Sequence, residues 1–192
     1  CGKSTLLNII GGLLEADSGE ISLGSFNYGT KSPNRVVDVR RSGVGWIFQD
    51  FHLVDRLDAL DNVAFSLELS GMSSSEAEGR AMDALMRVGL ADRMNFIPDQ
   101  LSGGQQQRVA VARAICGSRP LILADEPTGN LDVKSGQEVI KLFKDLCAND
   151  GLSVLMVTHD PMLASMADRM LLLKDGVTAA SDIRSAWGIE EE

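Results

Sequence analysis

Three short apolar runs in the second half of the chain lack the period-two alternation of a half-exposed strand. They occupy residues 121–124, 153–158 and 170–173, and their pattern predicts strands that are covered on both faces. Helical patterns around 135–147 and 161–168 separate the runs. Strands that alternate with helices in this way predict an α/β domain with a parallel sheet.

The first half of the chain predicts shorter elements. These are a loop that enters a helix at 2–10, short strands within 19–28, a strand at 44–48 and helical segments from about 57 to 94. A serine-rich stretch before Glu76 offers a helix start. Ala81, Leu85 and Val88 fall on one face of the helix that would follow.

Length and composition are those of an ordinary globular domain. The chain has 192 residues, of which 44% are hydrophobic and 23% are charged, enough for one sizeable core. We expect the helical stretch at about 57–112 to be an insert within a core formed by about 1–56 and 113–192. No apolar run approaches the roughly 18 to 20 residues that span a bilayer, so any membrane role must come through partners.

Charge and cysteine usage narrow the function classes. The net charge of −9 argues against a broad nucleic-acid surface, which would be basic. Cys1, Cys116 and Cys147 are far apart and show no C-x-x-C spacing, which favours free thiols in a reducing compartment over disulfides or a zinc site. The chain opens at Cys1 inside a motif and without an initiator Met, so we expect an N-terminal part to be missing.

The four residues Gly2-Lys3-Ser4-Thr5 match the end of the P-loop pattern G-x-x-x-x-G-K-[ST]. Glycine lets the backbone approach phosphate, lysine reaches the β and γ phosphates, and the hydroxyl of Ser4 can bind Mg²⁺. The helix that follows would aim its N-terminus at the anion. On these four residues alone, a glycine before an N-capping serine is an equally good interpretation.

An apolar strand at 121–124 leads directly into two carboxylates, Asp125 and Glu126. Ligands of open α/β sheets lie at the carboxyl ends of the strands. There Asp125 can hold Mg²⁺ through water, and Glu126 can polarise an attacking water. Taken alone, the pair is better explained as a solvated acidic turn at the end of a strand.

The pentapeptide Leu101-Ser102-Gly103-Gly104-Gln105 precedes a predicted helix that runs to about residue 116. Ser102 is the expected N-cap, and the two glycines expose backbone N–H groups, which makes a second anion site. One chain with two phosphate cradles is unusual unless the second cradle serves a neighbour's nucleotide. The alternative is a plain capped turn.

Three further polar residues follow predicted strands or the acidic pair. Gln49 follows the strand at 44–48 and can reach a metal or a water, and His159 follows the strand at 153–158 and can contact a γ-phosphate. Asp132 follows the acidic pair and either starts a helix or crosses a dimer interface. Each of them taken alone is also explained as a surface or structural residue.

Together these motifs resemble the ATPase domain of ATP-binding cassette (ABC) proteins. The motifs are GKST, Gln49, LSGGQ, LILADE, Leu131-Asp132 and His159, and they occur in the family's order and approximate spacing across essentially the whole chain. The resemblance implies an α/β P-loop NTPase fold with a RecA-like parallel sheet core and an inserted α-helical subdomain.

The resemblance also implies a role for each matched residue. ATP would be bound by Gly2, Lys3, Ser4, Thr5, Ser102, Gly103, Gly104, Gln105 and the D-loop residue Asp132. Mg²⁺ would be held by Ser4, by the Q-loop residue Gln49 and by Asp125. Catalysis would rest on the general base Glu126, the switch histidine His159 and Gln49.

Three longer stretches are similar to the branch of lipoprotein-releasing, macrolide-export and antimicrobial-peptide-export ATPases. They are WIFQDFHL at 46–53, QQQRVA at 105–110 and DEPTGNLD at 125–132. This similarity implies an ATPase that powers export or lipoprotein release, with a second copy as a head-to-tail homodimer partner and an integral membrane permease. It also implies a peripheral position on the cytoplasmic face of the inner or plasma membrane.

The chain departs from the family pattern at its start. The family has strands before the P-loop, an aromatic residue there that stacks on adenine, and the first half of the P-loop, and none of these is in the sequence given. Tyr28 lies after Lys3 and cannot be that aromatic residue. We therefore expect ATP hydrolysis from the complete protein, and not necessarily from this stretch alone.

Two other function classes share parts of these motifs. The first is a non-transport ABC ATPase that acts in cell division, on DNA or on ribosomes, and the acidic charge balance disfavours the nucleic-acid members. The second is a nucleotide-binding regulator without hydrolysis, which the intact catalytic positions disfavour. The transported substrate, the direction of transport and the membrane partner are not encoded in these motifs.

Overall fold

The computed structural model describes residues 2–180. Its helices are α1 (Lys3–Ile10), α2 (Ala59–Glu68), α3 (Ser74–Arg87), α4 (Gly103–Ile115), α5 (Val133–Asp150) and α6 (Pro161–Ser165). Its strands are β1 (Glu20–Leu23), β2 (Phe26–Gly29), β3 (Val44–Ile47), β4 (Leu121–Asp125), β5 (Ser153–Val157), β6 (Leu172–Lys174) and β7 (Val177–Ala180).

The central sheet is parallel, with the strand order β3-β4-β5. Strand β4 lies in the middle, and its residues Ile122, Leu123 and Ala124 are fully buried, because neighbours cover the strand on both faces. Helices connect the strands, as parallel pairing requires. The sheet confirms the α/β architecture that the apolar runs predicted.

Helix α1 packs on one face of the sheet through a small apolar core. Leu7 of α1 is buried in this core with Val44, Leu123 and Val157 of the three parallel strands. The antiparallel hairpin of β1 and β2 contributes Tyr28 to the same core. Packing against the three parallel strands therefore fixes the position of α1.

Helices α2, α3 and α4 pack together on the other side of the sheet. The apolar side predicted for the helix after Glu76 is confirmed, since Ala81, Leu85 and Val88 are fully buried. These residues belong to the same core as Ile47 of β3 and Ile122 of β4. Because α4 runs on to Ile115, it crosses the predicted boundary at 112, and the division into subdomains stays a prediction.

Helix α4 approaches strand β3 unusually closely at Gly45. A Cβ atom at Gly45 would lie 2.3 Å from the backbone oxygen of Ala114, so only glycine fits at this position. Strand β3 leads to Gln49, and α4 begins just after Ser102. The close contact therefore fixes the C-terminal end of α4 against the strand that leads to Gln49.

The prediction of a third buried parallel strand at 170–173 is wrong. The strand there is β6, which begins at Leu172 and pairs antiparallel with β7 in a separate hairpin. Its turn consists of Asp175 and Gly176, both with positive φ angles of 50° and 82°, which is the conformation that Asp-Gly favours in two-residue hairpins. The predicted turn at 174–176 is confirmed, but Leu171 is 69% exposed, so the run is not a core strand.

Candidate functional site

The N-terminus of α1 is shaped by Gly2, whose backbone is left-handed with φ 90°. Glycine adopts this conformation without the strain that a side chain would add. Helix α1 begins at the next residue, Lys3, and its buried Leu7 holds the helix against the sheet. The first backbone N–H groups of a helix have no partners inside the helix, so this end of α1 favours an anion.

Ser4 and Asp125 contact each other across 121 residues of sequence. The hydroxyl of Ser4 donates a hydrogen bond to Oδ1 of Asp125 at 3.1 Å. Asp125 is the last residue of β4, where the parallel strand delivers it to the N-terminal end of α1. The pair presents a hydroxyl and a carboxylate oxygen side by side, which are ligands that suit Mg²⁺.

Glu126 lies in a turn directly after β4. Its backbone has a positive φ of 46°, which is strained for a residue with a side chain. The backbone N–H of Glu126 donates to the carbonyl oxygen of Val157 at 3.0 Å, so the turn is anchored on β5. The side chain is 18% exposed, and its Oε1 lies 3.0 Å from Nδ1 of His159.

A cavity of about 230 Å³ joins the N-terminus of α1 to this turn. It is lined by Gly2, Lys3, Ser4, Thr5, Glu126 and Val157. A second cavity of about 270 Å³ lies among α2, α3 and residues 91–96, and none of the predicted site residues lines it. The smaller cavity is the one that brings the predicted phosphate-binding sequence and a carboxylate together.

Ser102 caps α4, as the sequence predicted. Its Oγ accepts a hydrogen bond from the backbone N–H of Gln105 at 3.3 Å, and Oε1 of Gln105 accepts from the backbone N–H of Ser102 at 2.9 Å. This reciprocal pair is a capping box. Neither these two residues nor Gly103 and Gly104 between them line the cavity at Lys3.

Gly103 and Gly104 pack against the segment that follows the acidic pair. A Cβ atom added to Gly103 would lie 3.4 Å from Cδ2 of Leu131. A Cβ atom added to Gly104 would lie 3.2 Å from Oγ of Ser135. The small size of both residues therefore lets the beginning of α4 lie close to the beginning of α5.

Asp132 is the N-cap of α5. Its side chain accepts hydrogen bonds from the backbone N–H of Ser135 at 3.0 Å and from Oγ of Ser135 at 2.6 Å. These bonds favour the ionised carboxylate and lower the pKa of Asp132. Asp132 is exposed, so the cap leaves it at the surface, and its predicted role at a dimer interface stays a prediction.

Gln49 does not line the cavity at Lys3, because Asn130 holds its side chain. Nε2 of Gln49 donates to Oδ1 of Asn130 at 3.3 Å, and Nδ2 of Asn130 donates back to the Gln49 carbonyl oxygen at 3.1 Å and to Oδ1 of Asp50 at 2.8 Å. The motif patterns do not single out Asn130, although it lies between the acidic pair and Asp132 in the sequence.

The loop after Gln49 has a second support that the sequence reasoning missed. Phe51 and His52 both have positive φ angles, of 32° and 48°. The guanidinium of Arg113 donates to both of their carbonyl oxygens, at 2.6 Å for Phe51. Burial lowers the pKa of Arg113. Arg113 of α4 thus holds the strained loop through two of its backbone carbonyl oxygens.

Comparison with known proteins defines the class of domain that has this fold. The sequence profile of the family described as ABC transporter matches residues 1–129. The chain therefore belongs to the ABC transporter family, and the resemblance of its motifs to that family is confirmed.

Several relatives align with more than nine tenths of the chain. It is 45% identical over 179 residues to the macrolide export ATP-binding/permease protein MacB of Psychrobacter cryohalolentis, covering 93% of this chain and 27% of MacB. It is 44% identical over 179 residues to the lipoprotein-releasing system ATP-binding protein LolD of a Shewanella species, covering 93% of this chain and 78% of LolD. The chain thus spans about a quarter of MacB and most of LolD.

Solved structures of an ATP-binding cassette have the same fold. The dimeric cassette MJ0796, in a post-hydrolysis state bound to ADP and Pi, superimposes with a TM-score of 0.81 at 40% identity, covering 94% of this chain and 80% of that one. A second dimeric structure of MJ0796 gives the same TM-score at 41% identity. The predicted P-loop NTPase fold is therefore confirmed.

Proposed function

We propose that the protein containing this chain binds ATP with Mg²⁺, hydrolyses it, and powers a membrane permease as one half of a head-to-tail dimer. The observation that carries the proposal is the shared cavity at the ends of α1 and β4. It combines Lys3 and Ser4 with Glu126, and Ser4 also donates a hydrogen bond to Asp125.

Phosphate binding is assigned to Gly2, Lys3, Ser4 and Thr5. The N-terminal N–H groups of α1 and the ammonium of Lys3 both favour negative charge, and they lie at the same cavity. Lys3 is half-buried, so its charge is less screened by solvent than that of a surface lysine.

Mg²⁺ is assigned to Ser4 and Asp125, with Gln49 as the third residue. When bound, the ion neutralises charge on the phosphates of the nucleotide. The contact between Ser4 and Asp125 holds both oxygen atoms where they can act together. Gln49 would have to leave Asn130 in order to join them, because its amide is now bound there.

Water activation is assigned to Glu126. Its largely shielded carboxylate can accept a proton from a water in the cavity, and the strained turn fixes where that carboxylate points. His159 contacts Oε1 of Glu126 and orients the carboxylate from the solvent side. The partner's Ser102–Gly104 segment would complete the site from outside, since this segment does not line the chain's own cavity.

Relatives support the cellular setting. MacB is named a macrolide export ATP-binding/permease protein, and LolD is the ATP-binding protein of a lipoprotein-releasing system. Within residues 2–180 no helix is both long and apolar enough to cross a membrane. We infer a peripheral position on the cytoplasmic face of the inner or plasma membrane, on a permease that drives export or lipoprotein release.

The test is ATP turnover by the full-length protein with its membrane partner, compared with its Glu126→Gln variant. The variant is expected to bind ATP with unchanged affinity and to lose activity by roughly 100-fold or more, because the amide cannot accept the proton. It should also accumulate an ATP-bound dimer. Undiminished hydrolysis in the variant would remove Glu126 from this role.

A further inference from the structure

Gln107 is a fully buried polar residue in the middle of α4. Its exposed fraction is 0%, and its Nε2 donates a hydrogen bond to the carbonyl oxygen of Pro127 at 2.6 Å. Its Oε1 has no hydrogen-bond partner among the described residues. Burying half an amide without a partner is unfavourable, so packing alone does not explain a glutamine where leucine or methionine would fill the space.

The acceptor of this bond belongs to the turn that carries Glu126. Pro127 directly follows Glu126, whose backbone has the unfavourable φ of 46°. The turn is tied on one side to Val157 through the Glu126 N–H, and on the other side to Gln107. A strained conformation persists only where its surroundings hold it, and the hydrogen bond from Gln107 is one of the contacts that hold this turn.

The same helix carries the second predicted anion site. Ser102 caps α4 one and a half turns before Gln107, and Gly103 and Gly104 pack directly on Leu131 and Ser135. The first two turns of α4 and the segment from Glu126 to Ser135 are therefore one packed unit. In a head-to-tail dimer, Ser102 would act on the partner's ATP, whereas Glu126 would act on the chain's own ATP.

We propose that Gln107 is a positioning residue for Glu126, and that it passes the state of the partner's ATP, sensed at Ser102, to the turn that holds the carboxylate. The proposal rests on the proposed function. It accounts for a buried amide whose Nε2 makes a hydrogen bond and whose Oε1 has no partner among the described residues. It also makes the two ATP sites of a dimer interdependent through a contact within each chain.

The test is Gln107→Met in the full-length protein with its membrane partner. Methionine keeps the length of the side chain and removes the donor. We expect kcat to fall roughly 10- to 100-fold, the cost of a small misplacement of a catalytic group, while the Kd for ATP stays within about twofold. The inference also predicts a Hill coefficient for ATP above one in the wild type and of about one in the variant.

Gln106→Met is the matched control. Nε2 of Gln106 also donates to backbone oxygens, those of Pro98 at 3.0 Å and Leu101 at 3.2 Å, but it does not contact the turn of Glu126. Its kcat and Hill coefficient should stay close to those of the wild type. Turnover is expressed per ATP site titrated in the same sample, so a loss of folded protein does not mimic the effect.

Gln107→Asn provides a second variant in case the methionine variant does not fold. It keeps an amide but is shorter by one methylene, so its donor falls short of Pro127, and it should show the same fall in kcat at constant Kd. If the wild type hydrolyses ATP, Glu126→Gln is inactive, and both Gln107 variants keep the wild-type kcat and Hill coefficient, the inference is overturned while the proposed function stands. Full activity of Glu126→Gln would instead contradict the proposed function.

Discussion

The Nδ1 atom of His159 lies 3.0 Å from the Oε1 atom of Glu126. The two residues meet because β4 and β5 pair in parallel with Asp125 opposite Val157, so the residues just beyond each strand emerge at the same edge of the sheet. His159 is 76% exposed, whereas Glu126 is 18% exposed. The histidine therefore covers the outer side of a carboxylate that faces the cavity of the α1 N-terminus.

This contact predicts that His159 affects turnover and not nucleotide binding. His159→Asn is expected to lower kcat roughly tenfold or more, because the carboxylate of Glu126 loses its orienting partner, while the Kd for ATP changes little. The matched control is His52→Asn at the other histidine, since asparagine tolerates the positive φ of that residue. Wild-type turnover in His159→Asn would show that the contact has no catalytic role.

The pair of Ser4 and Asp125 predicts a defect in metal dependence. Asp125→Asn removes a charged oxygen ligand, so the Mg²⁺ concentration for half-maximal ATPase activity should rise by roughly 10- to 100-fold. Asp145→Asn, at an exposed position of α5, is the control. Magnesium titrations of the two variants check this prediction, and identical midpoints would contradict the assignment of Asp125.

Much of this site could be predicted because it is encoded locally. Asp125, Glu126 and His159 each follow an apolar run, and parallel strands place such residues at one edge. The capping box of Ser102 and Gln105 lies within four residues. Both features depend on short-range rules that a single sequence contains.

The missed residues act over long sequence separations or through backbone conformation. Asn130 holds Gln49 across 81 residues, and Arg113 holds the carbonyl oxygen of Phe51 across 62. Neither spacing follows from a periodic pattern, since each depends on how α4 and the turn after β4 pack beside β3. The hairpin around Asp175 has a local Asp-Gly signal, but the apolar run before it has the same pattern as a core strand.

The contacts of Asn130 predict that this residue restrains the loop after Gln49. Asn130→Ala removes the three hydrogen bonds between that side chain and residues 49–50, so backbone amides of residues 49–53 should exchange with solvent faster. Asn149→Ala, exposed near the end of α5, is the control. Hydrogen exchange followed by mass spectrometry measures the difference, and unchanged protection of this loop would show that Asn130 does not hold it.

The central claim is that each ATP lies between Lys3 of one chain and Ser102 of another. Lys3→Ala damages one side of the site, and Ser102→Arg blocks the other side with bulk and charge, so each variant alone should be inactive. In an equal mixture about half of the dimers contain both variants, and each of these holds one intact site and one doubly damaged site.

The decisive measurement is ATPase activity of this mixture, with full-length subunits and their membrane partner, after subunit exchange has been demonstrated. The account predicts recovery to about a quarter of wild-type activity. If the two sites must act together, it predicts instead one labelled ATP trapped per mixed dimer without turnover. Neither activity nor trapped ATP at any mixing ratio would contradict the composite site.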